Sequence, residues 1–109
     1  MQVVERDFLF YETANNQAPA REWLDDIEAH DKVTYGILSN RLDRVSAGNF
    51  GDCEPAGEGV SELKIDVGPG YRIYFGIDGE FIILLLGGIK KTQERDIKKA
   101  KEFWGDYNA

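Results

Sequence analysis

The sequence predicts an α+β domain: a small antiparallel sheet of about four strands, with an N-terminal helical hairpin and a C-terminal helix, in the order β-α-α-β-β-β-α. Three observations carry this expectation. Residues 59–91, GVSELKIDVGPGYRIYFGIDGEFIILLLGGIKK, read as three short strands joined by two tight turns. Two segments before that stretch repeat apolar residues at helical spacing, and one segment after it does the same. A chain of 109 residues is long enough for one packed core and too short for two, so residues 1–109 form a single domain.

In chain order, DFLFYET at 7–13 is rich in aromatic and apolar residues and runs into the polar TANNQ, which predicts an opening strand. Pro19 is suited to a first helical position, and Ala20, Trp23, Leu24 and Ile27 then follow at i, i+3, i+4 and i+7. The other face of that helix, with Glu22, Asp25, Asp26 and Glu28, is acidic and reads as solvated. His30 falls at its end and is given no chemistry. Asp31 is suited to cap a second helix to about Ala47, with Val33, Ile37, Leu38, Leu42 and Val45 expected inward and Gly48 as its stop. The short connection predicts an antiparallel hairpin packed on the sheet. GNFGDCEPAGEG at 48–59 has no periodicity and reads as a loop bordering the sheet's polar face.

Within the organising stretch, alternation places Leu63, Ile65 and Val67 on one face and Glu62, Lys64 and Asp66 on the other. It likewise separates Tyr71, Ile73, Phe75 and Ile77 from Arg72 and Tyr74. Gly68-Pro69-Gly70 and Asp78-Gly79 are the expected turns. Phe81 to Leu86 is apolar throughout, as a central strand covered on both sides would be, and Gly87-Gly88 are expected to end it. Thr92 is suited to cap a last helix from Gln93 to about Trp104, with Ile97, Ala100, Trp104 and Tyr107 as its apolar stripe and Gly105 as its stop.

Composition excludes several functional classes. One cysteine, Cys53, cannot form an internal disulfide, and one histidine with no ligand spacing gives no basis for a metal site. The glycines match no phosphate loop or dinucleotide fingerprint. No apolar run is long enough to span a bilayer, and MQVVERDF has no leader pattern, so a cytoplasmic protein without a membrane partner is expected. The net charge of −7 lies entirely in residues 1–59, whereas residues 60–109 are neutral. The basic residues Lys90, Lys91, Arg95, Lys98, Lys99 and Lys101 fall in one short window, joined by Lys64 and Arg72 from the strands. So acidic a chain is unsuited to nonspecific nucleic-acid binding, but a local positive patch fits a specific RNA or an acidic partner.

The combination of ELKID, GPGYRIYF, LLLGG and KKTQ..DI..A at this spacing, with NNQAPAREWLDDI before it, resembles the RelE/HigB-type toxins of bacterial type II toxin–antitoxin systems. The likeness is to the phage-derived Gp49-like, or addiction module killer protein, branch, and it covers nearly the whole chain. It implies the small RelE/ParE-like fold and ribosome-dependent mRNA cleavage without a metal or other cofactor. In such cleavage a base takes the ribose 2′-hydroxyl proton, cations stabilise the phosphorane and an acid protonates the leaving oxygen. By motif, the resemblance implies Lys64, Arg72 and Lys90 or Lys91 as cations and Glu62 as the carboxylate. Where the family usually places a Tyr or His acid, this chain has Gly87-Gly88-Ile89. Tyr74, on Arg72's face, is the expected base-stacking group, with Arg95 and Lys98 as further RNA contacts. The implied partners are ribosome-bound mRNA and a helix-turn-helix antitoxin, through which alone operator DNA would be bound. A ParE-type gyrase inhibitor of the same fold, and a degenerate toxin serving only as an antitoxin-binding co-repressor, are the alternatives.

Overall fold

A computed structural model describes residues 3–109, and it is an α+β fold with the predicted helices. The elements are β1 (Asp7–Phe10), α1 (Pro19–His30), α2 (Lys32–Ser46), β2 (Cys53–Gly57), β3 (Val60–Ile65), β4 (Tyr71–Asp78), β5 (Phe81–Ile89) and α3 (Gln93–Tyr107). A single 3-10 turn, Lys90–Thr92, joins β5 to α3. The sheet has five strands in the order β1-β5-β4-β3-β2, not four. It is also mixed rather than antiparallel, because β1 runs parallel to β5 while the other neighbours alternate. The additional strand, β2, forms inside the glycine-rich stretch expected to be a loop. Its pairing with β3 supplies the order that its own residues do not encode, and a bulge between Pro55 and Gly57 marks the irregularity.

Helices cover both faces of the sheet. The α1–α2 hairpin packs Leu24, Leu38, Leu42 and Val45 against Leu63, Ile73, Phe75 and Leu84. On the other side α3 packs Ala100, Phe103 and Trp104 against Val60, Tyr74, Ile83 and Leu85. The fully apolar β5 is therefore buried on both faces, as its composition requires. Local signals set the hairpin. Pro19 opens α1, Glu22 accepts from the Ala18 N–H at 2.7 Å, and Asp31 caps α2 by accepting from the Thr34 N–H at 3.1 Å. Gly48 follows α2 at φ 95°, a conformation open to glycine.

Several local expectations change. Val33 and Ile37 of α2 do not face the core; they are 77% and 38% exposed. The β4–β5 turn is Gly79–Glu80, one residue later than expected. Gly105 lies within α3, which continues to Tyr107. Thr92 occupies the N-cap position of α3, yet its hydroxyl sits 2.5 Å from the Asp96 carboxylate instead of capping a backbone N–H.

Gly87 and Gly88 do not end β5 but lie within it. A β-carbon at Gly87 would fall within the Trp23 indole of α1, and one at Gly88 would collide with the Asp96 carboxylate of α3. Glycine here is a packing requirement on both faces. The alternation that sends Gly88 toward α3 depends on a bulge: Tyr74 pairs with Leu86 and Phe75 with Leu84, so Leu85 is an additional residue.

Candidate functional site

The polar face of β3 and β4 forms as the alternation predicts, but it is not open. Glu62, Lys64, Arg72 and Tyr74 lie side by side, with Glu62 opposite Tyr74 and Lys64 opposite Arg72. The first turns of α3 cover this group. Glu62 and Arg72 are each 4% exposed, and Tyr74 is completely buried. Tyr74 therefore cannot stack on a nucleotide base from its position, which corrects the expectation placed on it. The reason is that α3 docks across this sheet face through Ala100, Phe103 and Trp104, with Gly76 making room for the Trp104 ring.

Each charged group in the cluster has a specific partner. Glu62 accepts a hydrogen bond from the Gln93 amide at 2.8 Å. Lys64 pairs with Glu54 of β2 at 3.0 Å, and that contact raises its pKa. Glu54 stands directly opposite Glu62 across β2 and β3, so Lys64 also offsets the repulsion between two carboxylates. Arg72 donates through Nη1 to Asp66 at 3.2 Å and to the Tyr71 carbonyl at 3.0 Å. Two buried polar atoms in the same cluster have no hydrogen-bond partner among the described residues: Arg72 Nε and the Tyr74 hydroxyl. The Tyr74 hydroxyl lies near the Glu62 carboxylate without hydrogen-bonding geometry. Burial, then the Glu62 charge, pushes its pKa far above the ordinary tyrosine value, so it stays protonated at physiological pH.

Lys90 leaves β5 beside this cluster. Its N–H donates to the Gly70 carbonyl at 2.7 Å, and its stem shares the space above Gly70 with Arg72 Nη1. Lys91 is exposed and, with Lys90, Gln93 and Arg95, lines an open depression of about 380 Å³ at the start of α3. Lys98 is not part of that depression; it lines a separate groove with Leu86, Lys99 and Glu102. Arg95 borders both and sits 3.7 Å from Asp96. The structure thus assembles Glu62, Lys64, Arg72 and Lys90, sets Lys91 and Arg95 on the rim, and leaves Lys98 outside. Among the described residues, no three His, Cys, Asp or Glu side chains are grouped to hold a metal ion.

Sequence reading missed Gln93, which links α3 to Glu62 of the buried cluster, Asp96, which is buried over Gly88 and bonded to Thr92, and the carboxylates Glu54 and Asp66, which occupy the two cations. A signal for Asp96 was present: an acid four residues after Thr92, following two glycines that make room for it. Nothing local marked Glu54, because its role depends on a strand that the sequence does not announce.

Chemically, the cluster brings three cations, Lys64, Arg72 and Lys90, together with three carboxylates, Glu54, Glu62 and Asp66, so it offers groups that could hold a phosphodiester and a carboxylate that could take a proton. Among the described residues Arg72 has one ion-pair partner, Asp66, whose side chain is 70% exposed.

No family model matches the chain. It is similar to an uncharacterized protein of Haemophilus influenzae, with 48% identity over 65 residues, 59% of this chain and 66% of the relative. The match thus spans just under two thirds of that relative's length. Among the described residues, no helix is long and apolar enough to cross a membrane.

Proposed function

We propose that this chain is the toxin of a type II toxin–antitoxin pair, an mRNA endoribonuclease of the RelE/HigB kind acting on ribosome-bound message. One observation carries the reading: Lys64 and Arg72 stand directly opposite each other on one sheet face, with Glu62 beside them and Lys90 at the strand exit. Phosphodiester cleavage can use these groups: cations stabilise the pentacoordinate phosphorane, a carboxylate takes the 2′-hydroxyl proton, and the leaving 5′-oxygen takes its proton from water, since no Tyr or His stands at the strand end. Lys91 and Arg95 on the rim would guide the RNA backbone. A helix-turn-helix antitoxin, encoded beside the toxin gene, is the proposed neutralising partner.

A specific observation also favours a second reading. Glu62 is sealed under α3, and Arg72 and Lys64 are occupied by Asp66 and Glu54. A co-repressor that binds antitoxin without cleaving RNA, or a ParE-type gyrase inhibitor, requires none of these groups to be free. Induced expression in a bacterium lacking the antitoxin separates the readings. The nuclease reading expects growth arrest by the wild type and loss of arrest by Lys64→Ala, Arg72→Lys and Glu62→Gln. Each lost transition-state contact should slow cleavage about 100-fold, or ~3 kcal/mol. Full arrest by well-expressed Lys64→Ala and Arg72→Lys variants would remove both residues from the mechanism.

A further inference from the structure

Asp96, in the first turn of α3, is only 7% exposed, and β5 is cut away to receive it. A β-carbon at Gly88 would collide with its carboxylate. Gly88 pairs with Arg72 across β5 and β4, so the carboxylate stands over the sheet beside the cationic cluster. Its side-chain hydrogen bond is to the Thr92 hydroxyl, at 2.5 Å. Among the described residues its ion-pair neighbour is the 78%-exposed Arg95, at 3.7 Å, whereas Arg72 pairs with Asp66.

Stability alone is a poor reason for this arrangement. A threonine at the start of a helix ordinarily accepts from a backbone N–H of the first turn, and an acid near that end ordinarily stays in water. Here Thr92 makes no such cap. Its hydroxyl lies 2.5 Å from Asp96 and 3.2 Å from the Ile89 carbonyl, and its one proton goes to the carboxylate, the closer and stronger acceptor. A buried carboxylate and a glycine inside an interior strand both cost stability. What they fix is the turn Lys90–Thr92. Its start is held by the Lys90 N–H on the Gly70 carbonyl at 2.7 Å, and its end by Thr92 on Asp96. Lys90 stands at the first of these anchors, with its stem above Gly70 beside Arg72 Nη1.

We propose that Asp96 and Thr92 are positioning residues for Lys90: their hydrogen bond, seated in the notch that Gly88 leaves, sets where the Lys90 ammonium meets the scissile phosphate. Both act through Lys90 and need no contact with the RNA. This role rests on the nuclease reading above, in which Lys90 is one of the cations that stabilise the phosphorane.

A double-mutant cycle on cleavage of ribosome-bound message by the full chain tests this. Thr92→Val keeps the shape of the side chain without its hydroxyl, and it should lower kcat about tenfold with KM little changed, as misplacement of a catalytic group does. Thr92→Ser should restore most of the rate. In a Lys90→Ala background Thr92→Val should cost less than about twofold, because the side chain it positions is gone. Asp96→Asn keeps the size but removes the charge that strengthens the bond, and it should show the same dependence on Lys90 with a smaller loss, about threefold. It also serves if Thr92→Val does not fold, which the thermal midpoint reports. Losses of equal size with and without Lys90 would make the pair merely structural and overturn the positioning role. Message cut by the wild type and equally by both variants overturns that role alone, whereas message left uncut by the wild type overturns the nuclease reading and this role with it.

Discussion

At the scale of single residues, the group most out of place is the Tyr74 hydroxyl. It is fully buried, lacks a hydrogen-bond partner among the described residues and lies near a carboxylate. An unsatisfied buried hydroxyl costs about 1–3 kcal/mol. Tyr74→Phe should therefore leave stability unchanged or raise it by about 1 kcal/mol, read as a shift in the urea midpoint at constant slope. A loss above 1 kcal/mol would mean that the hydroxyl is bonded to Glu62 in solution. Tyr11 behaves differently. Its hydroxyl donates to Asp106 at 2.6 Å, and burial together with that carboxylate pushes its pKa up to about 12. A folded-state pKa above the unfolded value near 10 favours the protonated fold, so this contribution is complete below pH 10 and is lost between about pH 10 and 12. Tyr11→Phe should flatten the fall in urea midpoint over that interval, whereas an equally steep fall in the variant would exclude Tyr11 as its source. The sequence made the face of Tyr74 legible, because strand alternation is local. It did not reveal the residue's burial, which depends on where a helix some twenty residues later comes to rest.

At the scale of elements, α3 is the structure's main addition to the sequence reading. Its apolar stripe was legible, but the stripe does not say which surface it meets. That surface is the face carrying Glu62, Lys64 and Arg72, so one helix both completes the core and covers the candidate site. The glycines record this docking. Gly76 lies under the Trp104 ring, and Gly76→Ala should destabilise the fold by more than 2 kcal/mol through overpacking. Gly105, in the same helix, has no heavy atom within 4 Å of its missing β-carbon, so Gly105→Ala should stabilise by about 0.5–1 kcal/mol. Thermal unfolding of the two variants checks the pair, and a neutral Gly76→Ala would contradict the packing of Trp104. The strand β2 escaped the sequence for the converse reason: Cys53–Gly57 has no alternation of its own and becomes a strand only because β3 offers it an edge.

At the scale of the whole molecule, charge and access are arranged in opposition. The chain is acidic overall, yet its candidate site gathers Lys64, Arg72 and Lys90 with Lys91 and Arg95 on the rim. Glu54 and Asp66, exposed carboxylates at the margin, occupy two of those cations. A phosphate backbone arriving along the rim would compete with both carboxylates, and engagement should weaken steeply as salt rises. The buried Glu62 would act only if its hydrogen bond to Gln93 were exchanged for one to the ribose. The measurement that tests RNA cleavage most directly is transcriptome-wide mapping of new 5′ ends after brief induction of the wild type and of Lys64→Ala, with chromosomal DNA breaks scored in parallel. New 5′ ends within translated messages, present for the wild type and reduced about 100-fold for Lys64→Ala, are the predicted result. Growth arrest with intact transcripts, or no growth arrest at all, would contradict it.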